Sequence, residues 1–258
     1  MIGILDSGLG GLCALRALLE RMPFESYLYL ADTAHMPYGE KSKHELVPLS
    51  ARGVSALSAR GADRVLLACG TASSVASDFC KRYFTFPIHN VLEASVLAAV
   101  RATKSHRIGI AATAATIESG VLQRLIWRYD PSAILFPIGA PSLVQTVESQ
   151  SERHAAYAAV KQALLPLQEA KVDTLLLGCT HFGWLFNEIG ALLPSLTLID
   201  SGRAAAEELY EELYGRIPPA PTRRASTVRF FTTGDAQAFS RRASVLLGRS
   251  VRAERISL

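Results

Sequence analysis

Short runs of Val, Ile and Leu alternate with helix-like stretches along the whole chain, and the alternation restarts half-way. IGILDS opens the sequence, followed by LCALRALLERM, YLYLAD, a helical stretch from about Leu46 to Ala59, RVLLAC and TASSVASDFCKRY. Strands that are apolar at every position are buried on both faces, which points to a parallel sheet covered by helices on each side. The second half repeats the theme with RIGIAATAAT, SAILFPIG, a helix from about His154 to Glu169, DTLLLGCTH and LTLIDSG. Matching Ile2 to Ile108 needs an offset of 106 positions, and matching Cys69 to Cys179 an offset of 110. So nearly constant an offset is the mark of an internal duplication. The expected fold is α/β: two pseudo-symmetric three-layer domains with mostly parallel sheets, and a ligand cleft between them at the carboxyl ends of the strands. Crossings near His89 to Glu93 and near Asp200 to Ala206 give an expected first domain of residues 1–93 and 206–258 and a second of 94–205.

Two of the four cysteines sit at matching places in this pattern, Cys69 in VLLACGTASS and Cys179 in TLLLGCTHFG. Each ends an apolar strand and precedes an expected helix start, where the helix dipole favours the thiolate and is expected to lower the thiol pKa from its usual value of about 8.5. Two such thiols suggest a pair of acid/base groups facing one substrate. Thr71 and Thr180 offer hydroxyls beside the two helix starts, where a substrate carboxylate would bind. His181, two residues beyond Cys179, is read as a general acid/base or orienting group. Cys13 and Cys80 fall inside helical patterns and are read as inert core.

Composition narrows the alternatives. With 49% apolar and 19% charged residues, 258 residues can bury one large core or two modest ones. No apolar run approaches the roughly 18 residues that span a bilayer, and MIGILDSG lacks the basic flank of a signal peptide, so a soluble, cytoplasmic protein with free thiols and no membrane partner is expected. The net charge of +4 is a property of the tail: from Arg216 onward there are nine arginines against Asp235 and Glu254. They are scattered through TVRFFTT and AQAFSRRASVLLGRS, a strand and an amphipathic helix, and are read as a solvated face rather than a nucleic-acid surface. SGLGGL after the first strand lacks the third glycine of a dinucleotide loop, which Cys13 replaces, and GEKS lacks the upstream glycine of a P-loop. HExxH and GxSxG are absent. Cys179 and His181 supply at most two zinc ligands, so no metal is expected.

DSGLGGL (6–12), ADTAHMPYGEKS (31–42), ACGTAS (68–73) and LGCTHF (177–182) together resemble the glutamate racemases of the cofactor-independent aspartate/glutamate racemase superfamily. The resemblance runs nearly end to end, through IESG (117–120), VES (147–149), IDSG (199–202) and FFTTGD (230–235). It implies racemisation of glutamate without a cofactor, one cysteine thiolate removing the α-proton while the other thiol delivers a proton to the opposite face. Cys69 would act on D-glutamate and Cys179 on L-glutamate, assisted by Asp6 and His181, with Glu148 as an acidic residue of the site. Ser7, Pro37, Tyr38, Gly39, Thr71, Thr113, Thr116 and Thr180 match substrate contacts of the family. The resemblance further implies a supply of D-glutamate for peptidoglycan synthesis, and a homodimer whose interface no apolar stripe identifies. Plainer readings stand beside three of these residues: a strand-end cap for Asp6, a surface helix charge for Glu148 and a surface loop residue for Tyr38.

The chain departs from the family at Gly70, where an asparagine amide usually contacts the substrate. Loss of a hydrogen bond to a charged group costs about 1.5–3 kcal/mol. Aspartate or another acidic substrate, or a ligand-binding role without catalysis, therefore stand as alternatives to glutamate. Ala140, where cysteine is common, and Gly183, where proline is common, are lesser departures.

Overall fold

The computed structural model describes residues 1–149, 151–215 and 226–258. The chain divides into two compact units, Met1–Val91 with Ala205–Leu258, and Leu92–Ala204. The first begins β1 (Ile2–Asp6), α1 (Leu12–Arg21), β2 (Tyr27–Ala31), α2 (Lys43–Ser58), β3 (Arg64–Leu67), α3 (Gly70–Tyr83) and β4 (Ile88–Asn90). The second is entered through α4 (Val91–Ala102) and contains β5 (Arg107–Ala112), α5 (Ala114–Glu118), α6 (Val121–Tyr129), β6 (Ile134–Gly139), α7 (Pro141–Glu148), α8 (Arg153–Leu164), α9 (Pro166–Glu169), β7 (Thr174–Leu177), α10 (Phe186–Leu192) and β8 (Thr197–Asp200). The chain returns through α11 (Ser201–Tyr214) and closes with β9 (Val228–Thr232), α12 (Ala236–Leu247) and β10 (Ala253–Arg255).

The sheets run β10-β9-β2-β1-β3-β4 in the first unit and β6-β5-β7-β8 in the second. Every pairing described is parallel. The order β2-β1-β3-β4 is therefore that of β6-β5-β7-β8, with β9 and β10 added beyond β2 in the first unit. Register repeats as well: Leu5 pairs with Leu67, and Ala111 with Leu177. These pairs reproduce the offsets of 106 and 110 read from the sequence.

Several boundaries differ from the sequence reading for local reasons. α2 begins at Lys43 rather than near Leu46, because the Ser42 amide donates to Glu45 Oε2 at 2.9 Å in a capping box. The helix expected from His154 to Glu169 is two, since Pro166 cannot continue the hydrogen-bond ladder of α8. Beyond Cys179 the chain forms a 3-10 turn, Thr180–Leu185, before α10. Of the tail arginines, Arg216, Arg223 and Arg224 lie outside the described residues. Arg241 is exposed on α12, and Arg229 is exposed on β9. No helix among the described residues is long and apolar enough to cross a membrane.

The first core packs α2 directly on β1. A Cβ added at Gly53 would stand 2.7 Å from Leu5 Cδ1 and 2.9 Å from Cδ2, and Leu5 is itself fully buried with little room to move. Overpacking costs about 1–3 kcal/mol, against the roughly 1 kcal/mol that alanine gains over glycine inside a helix. Gly53→Ala is accordingly expected to lower the unfolding free energy by about 1 kcal/mol, read as a lower urea midpoint at unchanged slope.

Candidate active site

Parallel pairing collects the carboxyl ends of β1, β2 and β3 along one edge of the first sheet, and the residues singled out in this unit gather there. Asp6, the last residue of β1, is 1% exposed. Its Oδ2 accepts the Gly8 and Gly11 amides, each at 3.0 Å, and so fixes the turn into α1. The Tyr29 hydroxyl donates to the Gly8 carbonyl at 2.9 Å and lies 3.3 Å from the same Asp6 oxygen. Asp6 is thus a strand-end cap by geometry.

Beside it, the Ala68 amide donates to the Leu5 carbonyl at 2.8 Å, and Cys69 follows in extended conformation at the head of α3. Its Sγ lies 3.6 Å from Ser7 Oγ. Burial, and after it the Asp6 carboxylate, push the Cys69 thiol up to about 11, although the Ala72 amide, the Ser7 hydroxyl and the Thr71 amide pull the other way. The expected acidification by the helix end is corrected here: the amides are present, but desolvation of a thiol that is 7% exposed outweighs them. Gly70 and Thr71 form the first turn of α3 and are half-buried.

Tyr38, in a short 3-10 turn, is 2% exposed and packs with Leu46, Leu49, Cys69 and Ala72. Its hydroxyl donates to Asp32 Oδ2 at 2.6 Å. It is no surface loop residue, then, and its polar end is already engaged by protein. Pro37 and Gly39 on either side are exposed.

In the second unit the equivalent amide, that of Gly178, donates to the Ala111 carbonyl at 2.8 Å. A Cβ at Gly178 would meet Leu122 Cδ1 at 2.6 Å and Ala112 Cβ at 3.3 Å, so a residue without a side chain lets the end of β7 pass this close to its neighbours. Cys179 follows, 8% exposed, with Sγ 3.7 Å from His181 Nδ1. His181 Nε2 lies 2.8 Å from Glu148 Oε1 at the end of α7. Glu148 is half-buried and engaged with the imidazole, rather than a free surface charge. A carboxylate accepting from Nε2–H leaves Nδ1 as an acceptor facing the thiol. At the end of β5 the Thr113 hydroxyl caps α5 by accepting the Thr116 amide at 3.3 Å, with the two hydroxyl oxygens 2.9 Å apart. Thr116 and Thr180 are buried, as are Ala140 at the head of α7 and Gly183 in the 3-10 turn.

The sequence reading assigns no role to Asp32, which directly follows β2. The carboxylate is fully buried and also holds the Thr233 hydroxyl and His35 Nδ1, both at 2.7 Å. The only local signal was an aspartate closing an apolar strand, because its partner Thr233 is distant in the chain.

The sequence profile of a family described as Asp/Glu/Hydantoin racemase matches residues 17–209. Over 256 residues the chain is 36% identical to the glutamate racemase of Desulforudis audaxviator, covering 96% of this chain and 94% of that one. The crystal structure of a glutamate racemase isoform from Bacillus anthracis aligns with a TM-score of 0.92 at 32% identity, covering 100% of this chain and 97% of the other. That of the Francisella tularensis glutamate racemase in complex with D-glutamate aligns at 0.85 and 26% identity, covering 99% and 97%. The chain belongs to the Asp/Glu/Hydantoin racemase family and is an amino-acid racemase, an isomerase.

Because only the thiolate is alkylated, a thiol with its pKa near 11 is expected to react with iodoacetamide about tenfold faster per pH unit between roughly pH 7 and 9. Peptide mapping would follow Cys69, with the fully buried Cys80 as the control that stays unlabelled. A flat profile at Cys69 would show that its thiolate already predominates at neutral pH.

Proposed function

We propose that this racemase interconverts L- and D-glutamate without a cofactor, one cysteine thiol acting on each face of the α-carbon. The observation that carries the reading is the equivalence of Cys69 and Cys179. Each stands two residues beyond a register-matched leucine, Leu67 or Leu177, at the carboxyl end of the strand beside the first strand of its sheet. Inversion at carbon needs a proton removed from one face and another delivered to the opposite face, and two such groups supply both.

In the direction from L-glutamate, the Cys179 thiol passes its proton toward His181 Nδ1, with Glu148 bonded to Nε2 to orient the ring and balance its charge. The Cys179 thiolate then takes the α-proton, and its electron pair remains on the α-carbon as a carbanion. Cys69, whose raised pKa keeps it protonated at neutral pH, gives its proton to the other face. The reverse reaction exchanges the roles. Ser7, Pro37, Tyr38, Gly39, Thr71, Thr113, Thr116 and Thr180 are proposed to contact the substrate, with neutral donors meeting its two carboxylates and Asp6 assisting Cys69. The physiological product is proposed to be D-glutamate for peptidoglycan synthesis in the cytoplasm. The relative solved with D-glutamate supports the choice of substrate.

A second reading rests on Gly70, which brings no side chain to the first turn of α3, beside Cys69. It would leave room for a different acidic substrate, aspartate among them. NMR of the α-proton in heavy water, with each enantiomer of glutamate and aspartate, separates the two. Deuterium incorporation with inversion of glutamate is expected, and exchange with aspartate alone would transfer the proposal to that substrate. Cys69→Ser and Cys179→Ser are each expected to reduce racemisation by at least about 10³-fold, since serine is far too weak an acid to replace the thiol. Full activity in either variant overturns the two-thiol mechanism. Gly70→Asn is expected to lower KM for glutamate by about tenfold, the value of one restored bond to a charged group.

A further inference from the structure

We infer that Asp32 is a positioning residue: its buried carboxylate latches residues 33–40, and with them the Tyr38 ring, against the Cys69 thiol. A carboxylate removed from water is costly unless its oxygens are met by donors, and an apolar residue of similar size usually serves stability as well. Asp32 is fully buried, and its oxygens meet three groups. Tyr38 Oη donates to Oδ2 at 2.6 Å, while Thr233 Oγ1 donates to Oδ1 and His35 Nδ1 lies against it, both at 2.7 Å. The main chain of Asp32 is fixed independently, its amide donating to the Asp6 carbonyl at 2.9 Å. The carboxylate is therefore a rigid post to which other segments are tied.

The segment it ties buries few side chains of its own. Tyr38 is the only buried residue between Thr33 and Ser42. The rest of the attachment is polar and comes from the end of β9: the Ala34 amide donates to Thr233 Oγ1 at 2.9 Å, and Thr33 Oγ1 lies 2.6 Å from Thr232 Oγ1 and accepts the Gly234 amide at 3.1 Å. The Met36 side chain ends near the turn beside Ser7, where a Cβ at Gly8 would stand 3.5 Å from its Cε and Sδ. Held in this way, the segment sets Tyr38 in the cluster that contains Cys69, and fixes Pro37 and Gly39 on either side of it. Asp32 thus acts on the thiol and on the glutamate contacts through Tyr38 and the turn. Its effect on substrate binding rests on the functional reading above; its effect on Cys69 does not.

Two variants and two readouts test the latch. Asp32→Asn removes the charge and one of the two acceptor oxygens and so weakens the tie to Tyr38, and Thr233→Val removes the two bonds of the Thr233 hydroxyl, to Asp32 and from the Ala34 amide, while leaving the carboxylate in place. Iodoacetamide labelling of Cys69 at fixed pH is expected to accelerate about tenfold in the first and about threefold in the second, as the segment opens more often. Cys80, fully buried in the same unit, is expected to stay protected in both. With glutamate as substrate, Asp32→Asn is expected to raise KM by about tenfold and to lower kcat by less. Unchanged labelling of Cys69, or a parallel rise at Cys69 and Cys80, overturns the inference, the latter by showing general loosening. Should the unmodified protein fail to racemise glutamate, the functional reading falls, while the ratio of Cys69 to Cys80 labelling still decides the latch.

Discussion

Parallel pairing of β1 with β3, and of β5 with β7, is the constraint that sets where both cysteines of the proposed site stand. In each sheet one last rung, Ala68 to Leu5 or Gly178 to Ala111, carries the chain to the strand end, and the next residue is the cysteine. A parallel sheet sends every strand to the same edge, so polar residues placed just past strand ends collect there without separate arrangement. Asp6, Asp32 and Cys69 are neighbours for that reason, although they come from three strands well separated in the chain.

The two thiols share a position but not an environment. Around Cys69 the polar groups serve the fold first: Asp6 caps a turn, and Asp32 holds Tyr38 and Thr233. Around Cys179 the polar groups form a line from sulfur through His181 to Glu148. The duplicated framework sets where each thiol stands, and unrelated local side chains surround it.

Much of this was legible in the sequence. The uninterrupted apolar runs identified the parallel strands, and the offsets of 106 and 110 coincide with the observed register. β4 and β10 were not read, because Ile-His-Asn and Ala-Glu-Arg are too short to carry a period and are strands only through their pairing with β3 and β9. The raised pKa of Cys69 runs opposite to the acidification expected from its helix start. A helix start is visible locally, whereas burial beneath Tyr38 and beside Asp6 arises from tertiary packing. The contacts of Asp32 with Thr233 and of Glu148 with His181 span 201 and 33 positions, a separation at which a single sequence gives no sign of proximity.

The unequal surroundings of the two thiols bear on what the protein is between turnovers. Mirror-image substrates have equal free energies in water, so no asymmetry in the protein can favour one enantiomer at equilibrium. In the two-thiol reaction each turnover leaves the protein in the protonation form suited to the reverse direction, with the proton moved from one sulfur to the other. Loss of the proton at Cys69 is unfavourable at neutral pH, given a thiol held near 11. Under the proposed two-thiol reaction the empty protein would carry a brief memory of the enantiomer it last released, and the burial of Cys69 would help to erase it.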